Sequence, residues 1–206
     1  MKKFLFQGDS ITDAGRGTEP TGGGYGYVTL IKSHLMYNPE NVVYNCGVSG
    51  NRIVDMYARW KKDCINLEPD VLTIMIGVND VWHELDFNNG VDAEKFEMFY
   101  RLLLDETKKL LPDTRIILMG SYLMHGTATD AEPCGYDQFA ADVKVRRDIT
   151  EKLAKEYGLE YIDLQKKFDD AIENIAPASH WTPDGVHPSA AGYELIKRAW
   201  LENYEN

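Results

Sequence analysis

The chain has 206 residues, 44% of them hydrophobic, which is enough apolar material for the core of one domain, and a single domain over residues 1–206 is expected. A formal net charge of -11 repels phosphate backbones and anionic bilayer faces, so nucleic acid and membrane surfaces are excluded as partners. No apolar run reaches the ~18 residues of a membrane span, and the apolar stretch after Met1-Lys2-Lys3 is too short for a signal-peptide core, so the expected location is the cytoplasm.

In chain order, short apolar runs rich in β-formers alternate with longer helical patterns. Strands are expected over 3–7, 42–46, 71–77, 115–120 and 159–164, and helices over 27–36, 52–67, 92–111, 136–157 and 188–204. Phe96, Phe99, Leu103 and Leu110 repeat at helical spacing before Pro112, as do Phe139, Val143, Leu153 and Tyr157 before Gly158, and both stripes read as core. The run Val71-Leu72-Thr73-Ile74-Met75-Ile76 is apolar on both faces, as a central parallel strand covered by helices requires. The fold class is therefore α/β, a three-layer αβα sandwich with a central five-stranded parallel sheet. The stretch 15–26, with six glycines and Pro20, reads as a flexible loop beside the end of the first strand.

In such sheets the chemistry sits in the crevice at the carboxyl ends of the strands. Those ends read Gly8-Asp9-Ser10, then Gly47-Val48-Ser49-Gly50-Asn51, then Gly77-Val78-Asn79-Asp80. Acyl transfer needs a nucleophile, a base and donors for the developing oxyanion. Ser10 can attack, and its own N–H, the Gly47 N–H and the Asn79 amide can converge on one oxygen. Near the other end of the chain Asp184 and His187 stand three residues apart, so the carboxylate can hold Nδ1–H and leave Nε2 to face Ser10. Each element alone has a plainer reading: Ser10 as a helix cap, Asn79-Asp80 as a turn, Asp184 and His187 as a surface pair. Asp9 reads as a backbone-bonding residue of the Ser10 loop rather than a chemical one.

Trp60 falls in a helical pattern and reads as core. Trp82 and Trp181, in loops beside the site blocks, are candidates for substrate contact, with local packing as the alternative. Cys46, Cys64 and Cys134 are scattered and odd in number, giving neither a disulfide framework nor a zinc knuckle. His180, Asp184 and His187 lack a metal-ligand spacing, and Gly22-Gly23-Gly24-Tyr25-Gly26 is not a dinucleotide loop, so no metal and no cofactor is expected.

Gly8-Asp9-Ser10-Ile11, Gly47, Gly77-x-Asn79-Asp80 and Asp184-x-x-His187 together resemble, in order and across nearly the whole chain, the consensus blocks of the GDSL/SGNH hydrolase superfamily. The longer stretches GDSITDAGR, GVSGNRI, RWKKD, IMIGVNDVW and DGVHPSAAGYELI resemble its branch of intracellular acetylxylan esterases, relatives of which also go by the name of lipolytic enzymes. Ile11 departs conservatively from the leucine in the motif's name. The resemblance implies a flavodoxin-like sandwich, with Ser10 as nucleophile, His187 as base, Asp184 as its orienter, and Ser10, Gly47 and Asn79 as the oxyanion hole. It implies a small-molecule ester substrate, an acetylated sugar above all, and leaves homo-oligomerisation open. The rival readings are a lysophospholipase or thioesterase of the same superfamily and a non-catalytic carbohydrate- or flavin-binding αβα module.

Overall fold

In the computed structural model, which describes residues 1–131 and 135–206, five parallel strands form one sheet. They are β1 (Lys3–Gly8), β2 (Val42–Asn45), β3 (Val71–Met75), β4 (Arg115–Met119) and β5 (Glu160–Ile162). Their order across the sheet is β2-β1-β3-β4-β5. The chain steps outward from β1 to β2, returns to β3 on the other side, and then proceeds to β5. The strands therefore diverge at β1 and β3, where a crevice opens at their carboxyl ends. The helices are α1 (Ser10–Asp13), α2 (Tyr27–Leu35), α3 (Ile53–Asp63), α4 (Val78–Phe87), α5 (Ala93–Leu110), α6 (Tyr136–Tyr157), α7 (Leu164–Asn174), α8 (Ala178–Trp181) and α9 (Ala190–Glu205).

Strand alternation sorts the core into two faces. Phe4 and Phe6 of β1 point toward α2, α7 and α9, joining Tyr27, Ile31, Phe168, Ile196 and Trp200. Leu5 points the other way, toward Ile53, Met56 and Trp60 of α3 and Phe96, Tyr100 and Leu103 of α5. The five strands and two helical layers are the sandwich expected from the pattern. Both core indoles are paired: Trp200 Nε1–H donates to Thr73 Oγ1 at 2.9 Å, and Trp60 Nε1–H to Thr107 Oγ1 at 3.1 Å. Trp60 is thus core, as expected. Leu110 is not: it is half exposed, and the buried stripe of α5 runs through Phe96, Tyr100, Leu103, Leu104 and Thr107 instead.

Four helices lie where loops were expected: α1, α4, α7 and α8. Strand β3 stops at Met75 rather than 77, because Gly77 takes φ +134° and begins the turn into α4. Strand β5 covers only 160–162, since Asp163 caps α7 by accepting from Lys166 N–H. Pro188 does not open the last helix; Ser189 caps it, accepting from Gly192 N–H at 3.2 Å. The glycine-rich stretch 15–26 forms hydrogen-bonded turns: Tyr25 N–H donates to Ala14 O, and the Glu19 carboxylate accepts from Thr21 and Gly23. Cys46 is half-buried, Cys64 is buried, and Cys134 lies outside the described residues.

Candidate active site

Ser10 is the first residue of α1, carried directly off the end of β1. Asp9 caps that short helix, its carboxylate accepting from Ile11 N–H at 3.0 Å. Gly8 is dictated by packing: a Cβ there would lie 2.6 Å from Met75 O and 2.2 Å from Thr12 Oγ1. The sharp strand-to-helix turn that presents Ser10 therefore requires both the glycine and the capping aspartate, and Asp9 acts on the backbone, as expected.

His187 arrives from the opposite end of the chain. Its Nε2 lies 2.8 Å from Ser10 Oγ, and its Nδ1 lies 2.7 Å from Asp184 Oδ2. Asp184 Oδ1 also accepts from Val186 N–H at 2.9 Å and His187 N–H at 2.7 Å. With that carboxylate ionised, Nδ1 carries the proton and Nε2 is left to accept from the Ser10 hydroxyl. The Asp184 hydrogen bond, opposed by partial burial, holds the His187 ring above its ordinary 6.5. Burial pulls Asp184 upward, but the bonds from His187 and the two amides outweigh it and keep the carboxyl below its ordinary value. The loop bearing the pair is clamped by the segment after β4. Met124 N–H donates to Gly185 O at 2.9 Å, Ala128 N–H to Asp184 O at 3.1 Å, and Tyr122 OH to Val186 O at 3.0 Å.

Asn79 sits in the first turn of α4, its amide half-turned to the backbone: Nδ2 donates to Asn51 O at 3.2 Å. It lines a cleft of about 320 Å³ together with Ser10, His187, Gly50 and Trp82. Gly47 is packed tightly behind this cleft. A Cβ there would lie 2.3 Å from Asp13 N and 2.8 Å from Thr12 Cβ, and its N–H donates to Asn45 Oδ1 at 2.9 Å. In the resting site the Gly47 N–H thus has a protein acceptor, from which an oxyanion would have to draw it, whereas the Asn79 amide has two N–H groups and donates one of them to Asn51 O.

Of the two tryptophans, only Trp82 reaches the cleft. It lies on α4 rather than in a loop, 6.1 Å from the His187 ring and 5.7 Å from Phe139 between centroids. Trp181 ends α8 with 6% of its surface exposed, its indole N–H donated to Ala176 O at 2.9 Å, and it does not line the cleft. A larger hollow of about 690 Å³ at the β5 edge is bordered by paired charges, such as Arg115 with Glu160 and Lys167 with Glu202, and is lined by none of Ser10, Gly47, Asn79, Trp82, Trp181, Asp184 and His187.

Sequence reasoning missed the supports behind the site. Arg59 of α3 reaches the end of β1 and the segment that follows β2, donating to Gly8 O, Cys46 O and Asn51 Oδ1. Asp13 accepts from both the amide and hydroxyl of Ser49. Asp80 accepts from Ile53 N–H at 3.0 Å, and burial pushes its carboxyl up to about 7. Nothing in the spacing of Arg59-Trp60-Lys61-Lys62-Asp63 shows that one guanidinium bridges the end of β1 and the segment after β2.

The profile of the GDSL-like Lipase/Acylhydrolase family matches residues 6–195. An acetylxylan esterase of Geobacillus stearothermophilus is 36% identical over 213 residues, an alignment covering 97% of this chain and 92% of that protein. A solved structure described as a GDSL-like lipase from Parabacteroides merdae superposes with a TM-score of 0.88 at 34% identity, over 99% of this chain and 95% of that one. The structure of an acetylxylan esterase from Geobacillus stearothermophilus superposes with a TM-score of 0.84 at 34% identity, over 98% and 93%. Sequence blocks, sheet order and near-complete coverage agree, and the chain belongs to the GDSL-like lipase/acylhydrolase family.

Proposed function

We propose that the protein is a serine esterase that removes small acyl groups, acetyl above all, from carbohydrates such as acetylated xylo-oligosaccharides. The observation that carries the reading is the hydrogen-bonded chain from Ser10 Oγ through His187 to Asp184, at 2.8 and 2.7 Å, opening onto a cleft that also contains Asn79. His187 Nε2 takes the Ser10 proton as Oγ attacks the ester carbonyl carbon. The tetrahedral oxyanion is held by the Ser10 and Gly47 N–H groups and the Asn79 amide. Ser10 stands at a helix start, where the first amides have no intrahelical acceptor. His187 then returns the proton to the leaving alcohol, and water activated by the same ring frees the acyl group from Ser10. The acetylated-sugar substrate is supported by the similarity to the acetylxylan esterase and by the modest size of the cleft.

The test is a panel of acetylated xylo-oligosaccharides, p-nitrophenyl esters from acetate to palmitate and an acyl-CoA, with Ser10→Ala as control. Acetate release from the sugars, falling away with chain length among the p-nitrophenyl esters, supports the proposal. Preference for palmitate or acyl-CoA transfers it to a lipase or thioesterase, and ligand binding without hydrolysis would make it a binding module.

A further inference from the structure

Helix α4 contributes more to the cleft than Asn79. Trp82, His83, Asp86 and Phe87 follow Asn79 by three, four, seven and eight positions, so one face of the helix presents all of them. All four line the cavity that holds Ser10 and His187. The face is graded outward. Trp82, at its inner end, packs on Phe139 and beside His187. Phe87, at its outer end, has 69% of its surface exposed and meets the His83 ring edge-on at 5.8 Å and 75°.

A phenylalanine exposed to this degree contributes little to the core, yet it lines a cleft that also contains Ser10. Its chemistry, with His83 and the Asp86 carboxylate beside it, does not suit a hydrocarbon chain. A pyranose matches it better, because a sugar ring offers an apolar C–H face to stack on an aromatic surface and hydroxyls for a carboxylate to accept. Burial and the Arg52 guanidinium keep His83 below its ordinary value, so it presents a neutral ring.

We infer that this face of α4 is the alcohol-side subsite, with Phe87 and His83 as the stacking platform for the sugar portion of the substrate and Asp86 as acceptor for its hydroxyls. One helix then fixes both ends of the substrate: Asn79 at the carbonyl oxygen and Phe87 about two turns away at the sugar. The inference rests on the carbohydrate reading above and adds the residues that would select for it.

The experiment compares kcat/KM for an acetylated xylobiose with kcat/KM for ethyl acetate, whose alcohol has no ring, in wild type, Phe87→Ala, His83→Ala and Tyr37→Ala. Phe87 is exposed, so its truncation leaves the fold intact. Loss of a stacking surface lowers the sugar-to-ethyl ratio by ~10-fold in Phe87→Ala, mainly through KM, with His83→Ala moving the same way. Tyr37, 95% exposed and outside the cleft, leaves the ratio where it was. Titration of deacetylated xylotriose into Ser10→Ala and into Ser10→Ala with Phe87→Ala reads the same loss as weaker binding. Ratios within about two-fold of wild type in both Phe87→Ala and His83→Ala overturn the inference. A wild-type enzyme that cleaves ethyl acetate but not the sugar ester overturns the carbohydrate reading, and this subsite with it, and is distinguishable because the failure appears before any substitution is made.

Discussion

Three residues carry charge as well as position. His187 acts as a base only when neutral, and its Asp184 partner stabilises the imidazolium, so the ring takes up its proton at a pH above the ordinary 6.5. Activity is therefore present above that raised value and lost as pH falls through it. We expect the acid limb of kcat/KM to lie above pH 6.5, and Asp184→Asn to move it downward while lowering the rate; a profile flat from pH ~5 to ~8 contradicts the role of His187. Asn79→Ala removes one of the proposed oxyanion donors and is expected to lower kcat by ~10²-fold to 10³-fold, about 3 to 4 kcal/mol, with melting temperature and circular dichroism near wild type. Asp9 presents the opposite balance. Burial pushes its carboxyl from 3.8 to about 6, against the Ile11 N–H and the charge of His187. The folded chain thus binds this proton more tightly than the unfolded chain, and stability declines as pH rises from about 4 to about 6, by up to ~3 kcal/mol. Asp9→Asn keeps an oxygen for the Ile11 N–H and removes the titration. Its melting temperature relative to wild type should rise between pH 4 and pH 8, and a constant difference across that range would disprove the account of Asp9.

At the scale of elements, the site is an assembly of strand ends, and Arg59 joins them from behind through Gly8 O, Cys46 O and Asn51 Oδ1. Arg59→Ala removes the donor to Cys46 O and one of two donors to Gly8 O, which keeps Val48 N–H, and loosens β1 and β2 at the end where Ser10 and Gly47 sit. The expected result is a loss of ~2 to 3 kcal/mol in a urea melt, together with a kcat reduced further than the melt alone explains. Arg59→Lys, with a single point charge in place of the fork, should recover only part of both. The main strands and the five helices α2, α3, α5, α6 and α9 were legible because their hydrophobic periods are unmixed. Helix α4 was not, since Gly77-Val78-Asn79-Asp80 carries turn chemistry and the helix begins inside it, which also put Trp82 wrongly in a loop. Helix α7 was hidden because Leu164 reads as the last strand residue when the Asp163 cap is overlooked. Trp181 was drawn toward the site by its nearness in sequence to Asp184, whereas the short α8 turns it into the core.

For the whole molecule, what matters is that the sheet brings residues 10 and 187 together across a switch in strand order. Ser10, the proposed nucleophile, leaves β1, the strand at the centre of that switch, and Asp184 and His187, the proposed orienter and base, enter just before α9, which packs on the β1 face through Trp200 and Ile196. The relation between Ser10, Asn79 and His187 was legible as a set of blocks, because each block ends a strand or precedes a helix. The clamp from Tyr122, Met124 and Ala128 was not, because it consists largely of backbone bonds between segments about 60 residues apart, which side-chain identity does not encode. Because Ser10 and His187 lie 177 residues apart in sequence and meet only through the sheet, activity and global folding are expected to be lost together on denaturation.

The most direct test of the central claim is the intact mass and peptide map of the protein after exposure to an organophosphate ester that traps activated serines. The account predicts one adduct, on Ser10, formed in wild type, absent in Ser10→Ala and strongly slowed in His187→Ala. An adduct on another residue, or labelling of Ser10 that proceeds at the same rate without His187, would contradict it.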